Sequence, residues 1–335
     1  MCGQARCLFR LTSLPFSKRF PMRICAIDVG TNTVQSVVAD VTAGGLTILA
    51  DEERFARLGQ GVDASHRLAP EAMDRAVACL RAAQVTATRL GADRTVIAAT
   101  SASRDAANVD VLVARVRGEL GLDYRVIAGE TEAALSFRGA LARWPGAPGG
   151  PVVVVDVGGG STEVALGTAS AGVSARVSLD VGSVRLTERR FGTRPPGADA
   201  VDVARADIVR AFEAVPPAIA AAVAAGAPLV ATGSVSRALA RLAGFDTAGA
   251  APPTVPASDV AVWSERLLSL TPEETLALDP KSLAGREDVV AASVLVLRTV
   301  MEALGAPGYV TTRGGLRHGL ALSEAGRGAF EAKAA

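Results

Sequence analysis

Apolar runs that stop abruptly at an acid and a glycine recur along this chain. "RICAID" ends at Asp28, and "VVVVD" repeats the form with four valines before Asp156. Short apolar runs bounded by turn residues predict strands covered on both faces. "SVVADV" and "LTILADEERF" follow the first run as further strands, and "STEVALG" and "ARVSLDVG" follow the second. Apolar residues at helical spacing predict a helix in "PEAMDRAVACLRAAQV", with Pro70 in its first turn, and another in "NVDVLVARVRGEL", stopped by Gly121. "RTVIAAT" and "YRVIAG" read as strands, and "ETEAALSFRGAL" as a helix.

The turn-rich stretch "RWPGAPGGP" then interrupts the pattern and marks a domain boundary. Beyond it lie an Ala-rich helical region near 199–225, a strand "PLVATGS" and a helix "SRALARLAG". "TPEETLAL" is a helix whose Thr271 and Glu274 fit a capping box, and "EDVVAASVLVLRTVMEALG" is an apolar helix closed by Gly305. A strand "GYVTT", a loop and a last helix follow. Both halves open with strand–Asp–Val–Gly–x–x–Ser/Thr and pass through strands before helices. The expected fold is therefore α/β, with two duplicated domains at 22–145 and 150–335. The last helix is free to pack back on the first domain, and a cleft lies where the two similar loops face one ligand. Residues 1–21 are basic and mixed, without a clean apolar core or cleavage site, and are expected to be a disordered extension.

Composition narrows the chemistry. Of 335 residues, 49% are hydrophobic and 21% charged, with a formal net charge of +1, so nothing global points to nucleic acid or a membrane surface. An anion must be held by a local site. No run approaches the roughly 18 apolar residues of a membrane-spanning helix. Cys2, Cys7, Cys25 and Cys79 have no zinc-ligand spacing, and the two histidines, His66 and His318, cannot build a histidine-rich metal site. Cys25 and Cys79 sit in apolar contexts that predict core positions, and a reduced, cytoplasmic setting fits them.

The loops carry the candidate chemistry. Glycines let backbone N–H groups approach an anion closely and permit a strained turn, and Ser161 and Thr162 can add hydroxyl donors. An acid at the strand end would repel phosphate, so Asp28 and Asp156 make sense if they hold Mg²⁺, or Mn²⁺, that bridges to phosphate oxygens. Two such loops facing each other suit a chain of at least two phosphates. Neither the G-x-G-x-x-G dinucleotide fingerprint nor a P-loop is matched.

"AIDVGTNT", "ATSASRDAANV", "VIAGETEAALSFRGAL", "VVVVDVGGGSTEVALG", "VATGSVSRALARL" and "VTTRGGLRHGL", in that order, resemble segments of the exopolyphosphatase / guanosine pentaphosphate phosphohydrolase (Ppx/GppA) family. The resemblance covers nearly the whole chain from Met22 to about Leu322. It implies two actin-like (ribonuclease H-like) ATPase-superfamily domains with an interdomain cleft, in the short two-domain form that lacks an extra C-terminal helical domain. It also implies Mg²⁺-dependent release of phosphate from polyphosphate or from guanosine pentaphosphate. Glu132 stands where the family has the glutamate that acts as general base on water, with Glu130 as the competing candidate. Asp156 and Glu163 resemble its metal-linked and water-positioning acids, and Arg104 its phosphate-facing arginine. Asp28, Gly30, Asn32 and Thr33 from the first loop, and Gly158, Gly159, Gly160 and Ser161 from the second, are the expected phosphate contacts. Asp28, Asp156 and Glu163 are the expected metal acids.

Arg57, Arg185 and Arg317 are weaker candidates, and His318 is expected to face solvent near the cleft. Gly233 and Ser234 occupy the place where the kinases of this superfamily bind adenosine, but Ser-Val follows the glycine where many relatives have Gly-Gly-Thr. Both substrates stay open, with low aromatic content leaning toward polyphosphate. A third possibility is a sensor that keeps the loops but turns over little. A homodimer could supply additional surface for a long chain.

Overall fold

The structure, a computed structural model, describes residues 21–42, 44–249 and 251–325. The expected extension at 1–21 lies outside these residues save for Pro21, as do Cys2 and Cys7. The first half runs β1 (Met22–Val29), β2 (Thr33–Thr42), β3 (Gly45–Phe55), α1 (Val62–Ser65), α2 (Pro70–Arg89), β4 (Arg94–Ala99), α3 (Ser101–Asp105), α4 (Val109–Leu120), β5 (Tyr124–Val126) and α5 (Gly129–Ala142). The second half begins β6 (Val152–Val157), β7 (Thr162–Thr168), β8 (Gly172–Leu179), α6 (Ser183–Arg190), α7 (Ala198–Phe212), α8 (Pro217–Ala224), β9 (Leu229–Ala231) and α9 (Gly233–Leu242). It continues β10 (Thr254–Pro256), α10 (Ala257–Leu268), α11 (Pro272–Leu278), α12 (Pro280–Leu283), α13 (Val290–Leu304), β11 (Gly308–Thr311) and α14 (Leu316–Ala325).

The two sheets repeat one plan. The first has the order β3-β2-β1-β4-β5 and the second β10-β11-β9-β6-β7-β8. In each, the opening strand pairs antiparallel with the next strand and parallel with the strand that follows a helical crossover. The second sheet adds β10 along its edge. Ligands of open α/β sheets bind beyond the carboxyl ends of the strands, which here are the ends of β1, β4, β6 and β9.

Alternation along the strands explains why both faces are apolar. In β1, Cys25, Ile27 and Val29 pack under α2 and α4 with Leu80 and Leu112. Ile24 and Ala26 point the other way, to Leu135 of α5 and to Leu316 and Leu320 of α14. In β6, Val153 and Val155 join the core around α13, while Val152 and Val154 meet Phe137 and Ala140 of α5. So α5 touches the undersides of both sheets, and α14 lies against α5 and β1. The two helices cross backbone to backbone. A Cβ at Gly319 would lie 1.9 Å from the Leu135 carbonyl oxygen, and one at Gly139 would lie 2.0 Å from that of Gly315.

The capping box at Thr271 and Glu274 is formed, Gly121 and Gly305 end their helices in the left-handed conformation, and Cys25 and Cys79 are buried. The helix α10 is not among the elements expected from the sequence. Its Val260, Trp263, Ser264 and Leu267 do recur at helical spacing against the core.

Candidate active site

The turns after β1 and β6 are closed in the same way. Gly30 N–H donates to the Thr33 carbonyl at 2.9 Å, and Gly158 N–H donates to the Ser161 carbonyl at 2.9 Å. These two N–H groups are thereby engaged within their own turns, while both glycines line the cleft. The N–H groups of Thr31, Asn32, Gly159 and Gly160 take no acceptor among the described residues, and they remain for an anion. None of Gly158, Gly159 and Gly160 has a positive φ, so the expected strained turn is not what requires them. Crowding is what requires them. A Cβ on Gly160 would lie 2.4 Å from Ser101 Oγ, and one on Gly159 would lie 2.8 Å from Thr31 Cβ. The second loop sits directly on the first.

Four carboxylates surround the loops. Asp28 ends β1, and its Oδ1 is buried without a hydrogen-bond partner. Asp156, at the equivalent place in β6, accepts from Ser136 Oγ at 2.6 Å. Glu163 lies opposite Asp156 in the β6–β7 pairing, is 2% exposed, and accepts from Ser178 Oγ at 2.7 Å. Glu132 sits in the first turn of α5 and is buried, whereas Glu130 is exposed. Arg104, from α3, donates from Nη1 to Glu132 at 2.6 Å and from Nη2 to Ser161 Oγ at 3.4 Å.

Asp28, Gly30, Asn32, Thr33, Glu132, Asp156, Gly158, Gly159, Gly160, Ser161 and Glu163 line one cleft, and Arg104 backs it through Glu132 and Ser161. Gly233 and Ser234 reach the same cleft. The sequence pattern misses Ser136, whose hydroxyl orients Asp156. It lies four residues after Glu132, one turn along the same face of α5, and that spacing was the available signal.

The electrostatics are those of crowded acids. Burial, then the charges of Glu132 and Asp156, hold Asp28 well above the usual carboxylate range. Burial, then the same two neighbours, do so for Glu163. Burial also raises Glu132, against the pull of Arg104. Like charges packed this way favour protons or a cation.

A divalent ion fits this donor set. Among the described residues no three acids, histidines or cysteines converge as a ready-made cage, so Asp28, Asp156 and Glu163 are not one. Mg²⁺ is commonly held by one or two carboxylates with substrate phosphates and water supplying the rest, and the unpartnered Asp28 oxygen is a free ligand of that kind.

The weaker candidates are all engaged. Arg185 Nε donates to the Gly160 carbonyl at 2.7 Å, and its Nη1 pairs with Asp63 at 2.6 Å. Arg57 pairs with Asp288 at 2.5 Å. Arg317 pairs with Asp51 at 2.7 Å and lines the cleft. His318 does not face solvent as expected. It is fully buried beside Asp51, in a helix covered by the first sheet and α5, and burial pulls its pKa down to about 4.

Residues 37–327 match the model of the Ppx/GppA phosphatase family. The chain is 38% identical over 323 residues to "Exopolyphosphatase 2" of Mycobacterium tuberculosis, covering 91% of this chain and 99% of that protein. It is 33% identical over 308 residues to "Exopolyphosphatase 1" of Mycobacterium bovis, covering 90% and 88%. Among solved structures, an exopolyphosphatase-like protein superposes with a TM-score of 0.80 at 28% identity, covering 91% of this chain and 98% of that one. An exopolyphosphatase from Cytophaga hutchinsonii, at 24% identity and a TM-score of 0.79 over 90% and 97% of the two chains, shares the fold. The expected α/β class is the one found, in two sheets that repeat one plan. Among the described residues no helix is long and apolar enough to cross a membrane.

Proposed function

The chain belongs to the Ppx/GppA phosphatase family, and on that premise we propose that it releases phosphate from the end of inorganic polyphosphate by metal-assisted hydrolysis of the terminal phosphoanhydride bond. The observation that carries this reading is the buried Glu132, held by Arg104 beside two facing loops in which the N–H groups of Thr31, Asn32, Gly159 and Gly160 are left for phosphate oxygens.

The N–H groups of Thr31 and Asn32 on one side, and of Gly159 and Gly160 on the other, grip the last two phosphates. Asp28 and Asp156 would hold Mg²⁺, which neutralises charge on the phosphate oxygens when bound. Glu132 takes a proton from water as its oxygen attacks the terminal phosphorus. The bond to the bridging oxygen breaks, its electron pair leaves with the shortened chain, and the proton on Glu132 passes to solvent. Burial raises Glu132 toward the range of an effective base at neutral pH, and Arg104 restrains that rise. An entering phosphate competes for the Arg104 fork and frees Glu132 to accept the proton. Glu163, across the strand pair from Asp156, positions the water.

Among the described residues the cleft is lined without an aromatic side chain, so a guanine base finds no aromatic stacking face there. This supports polyphosphate over guanosine pentaphosphate. Phosphate release on the two substrates side by side, with Mg²⁺ and again with EDTA, tests the proposal. Release from polyphosphate that EDTA abolishes is expected. A preference for guanosine pentaphosphate, or full activity in EDTA, contradicts it. Binding of polyphosphate without release from either substrate would establish the sensor reading instead.

A further inference from the structure

A second, basic cavity adjoins the cleft. Gly233, Ser234 and Gly314 to Arg317 line the cleft. One turn further along α9, Arg237 lines a separate cavity of about 190 Å³ with Arg241, Arg313, Arg317, Thr247 and Asp51. That space is roomy enough for several waters, or for phosphate groups that displace them. Arg317 lines both cavities, and Arg313 immediately precedes the cleft residue Gly314. The two spaces therefore share a wall.

Positive charge in this cavity is under-compensated. Four arginines face one carboxylate, Asp51, and Arg317 already occupies it at 2.7 Å. Arg241 is shared with Ser282 and, at 3.6 Å, with Asp279. Arg237 donates to the Gly233 carbonyl at 3.0 Å, and Arg313 to the Thr247 carbonyl at 3.0 Å. Neither meets a carboxylate among the described residues. Burial, then the adjacent Arg317 charge, pulls Arg237 down to about 10, against the opposing charges of Glu53 and Asp51. An anion relieves that repulsion. The lining offers guanidinium forks and no apolar wall, which matches phosphate oxygens rather than a base.

We propose that this arginine cavity is a distal subsite that grips the non-reacting phosphates of a condensed phosphate chain whose terminal group lies between the two loops. The proposal rests on the hydrolase reading above. It makes Arg237 and Arg313 determinants of chain-length preference, with no part in the bond cleavage itself.

The test is steady-state phosphate release from tripolyphosphate and from long-chain polyphosphate by the wild type, Arg237→Met and Arg313→Gln. Arg313 is exposed, so its replacement leaves the fold intact. Loss of one charge-assisted contact is worth about 10-fold. The expected result is a KM for the long chain raised about 10-fold, with kcat on both substrates and KM for tripolyphosphate within about 2-fold. Equal effects on both chain lengths, or none on either, overturn the subsite. Equilibrium binding of fluorescently labelled long polyphosphate in EDTA separates this idea from the hydrolase reading. If the wild type releases no phosphate, the hydrolase reading fails. Weaker binding by both variants still supports the subsite, and unchanged binding overturns it.

Discussion

Asp28 sits in an environment that disfavours its charge. Its carboxyl is held well above its ordinary value by burial and then by Glu132 and Asp156, so the folded state keeps its proton more tightly than the unfolded state does. Stability is then greatest below the unfolded pKa of about 3.9 and falls as pH rises toward the folded value. Asp28→Asn removes that slope. Without divalent ion, the variant should gain a few degrees in melting temperature over the wild type at pH 8 and less at pH 5. Added Mg²⁺ should stabilise the wild type and not the variant. An equal difference at both pH values would refute this account of Asp28.

His318 behaves oppositely. Its pKa is pulled down to about 4 from 6.5, by burial first. The neutral ring is accommodated fully above the unfolded pKa, and that stability is lost as pH falls from 6.5 toward 4, up to about 3 kcal/mol. His318→Leu should flatten the acid limb of the stability–pH curve in that window. An unchanged limb would show that His318 does not carry it. The sequence misplaced this residue because "LRHG" lies on a helix covered on two sides, and such a helix shows no polar face to mark its buried positions.

At the scale of elements, the crossing of α5 and α14 sets the site, since α5 carries both Glu132 and Ser136. Gly319→Ala forces a Cβ to within 1.9 Å of the Leu135 carbonyl and should cost about 1–3 kcal/mol in denaturant unfolding. Gly118→Ala, in the last turn of α4 with nothing within 4 Å, should instead gain about 0.4–1 kcal/mol. Similar effects at both positions would contradict the close crossing. Apolar runs ending at Asp28 and Asp156 made the strands and both loops legible, because a buried strand leaves an unbroken signal. The commitment of the Gly30 and Gly158 N–H groups was not legible, since a closed turn and an open anion nest can share one sequence. Nor was the true use of Gly159 and Gly160, which answers crowding from Thr31 and Ser101, residues distant in the chain.

At the scale of the whole molecule, ion pairs clasp the two halves on both flanks of the cleft. Asp63 in α1 holds Arg185 and Arg189 of α6, at 2.6 and 2.5 Å, while Glu53 pairs with Arg286 and Arg57 with Asp288. Arg185 also holds the Gly160 carbonyl, which ties this clasp to the second loop. Asp63→Asn should destabilise by about 1–3 kcal/mol, less than for a fully buried pair because Arg189 is half-exposed. Guanidinium chloride titration reads this, and an unchanged midpoint would make the clasp incidental. The clasped halves enclose Glu132, and Glu132→Gln reads its part in the reaction. With polyphosphate and Mg²⁺, kcat should fall about 10²–10⁴-fold while equilibrium binding of the substrate stays nearly intact. Turnover within a few-fold of the wild type would contradict the assignment of Glu132 as the base.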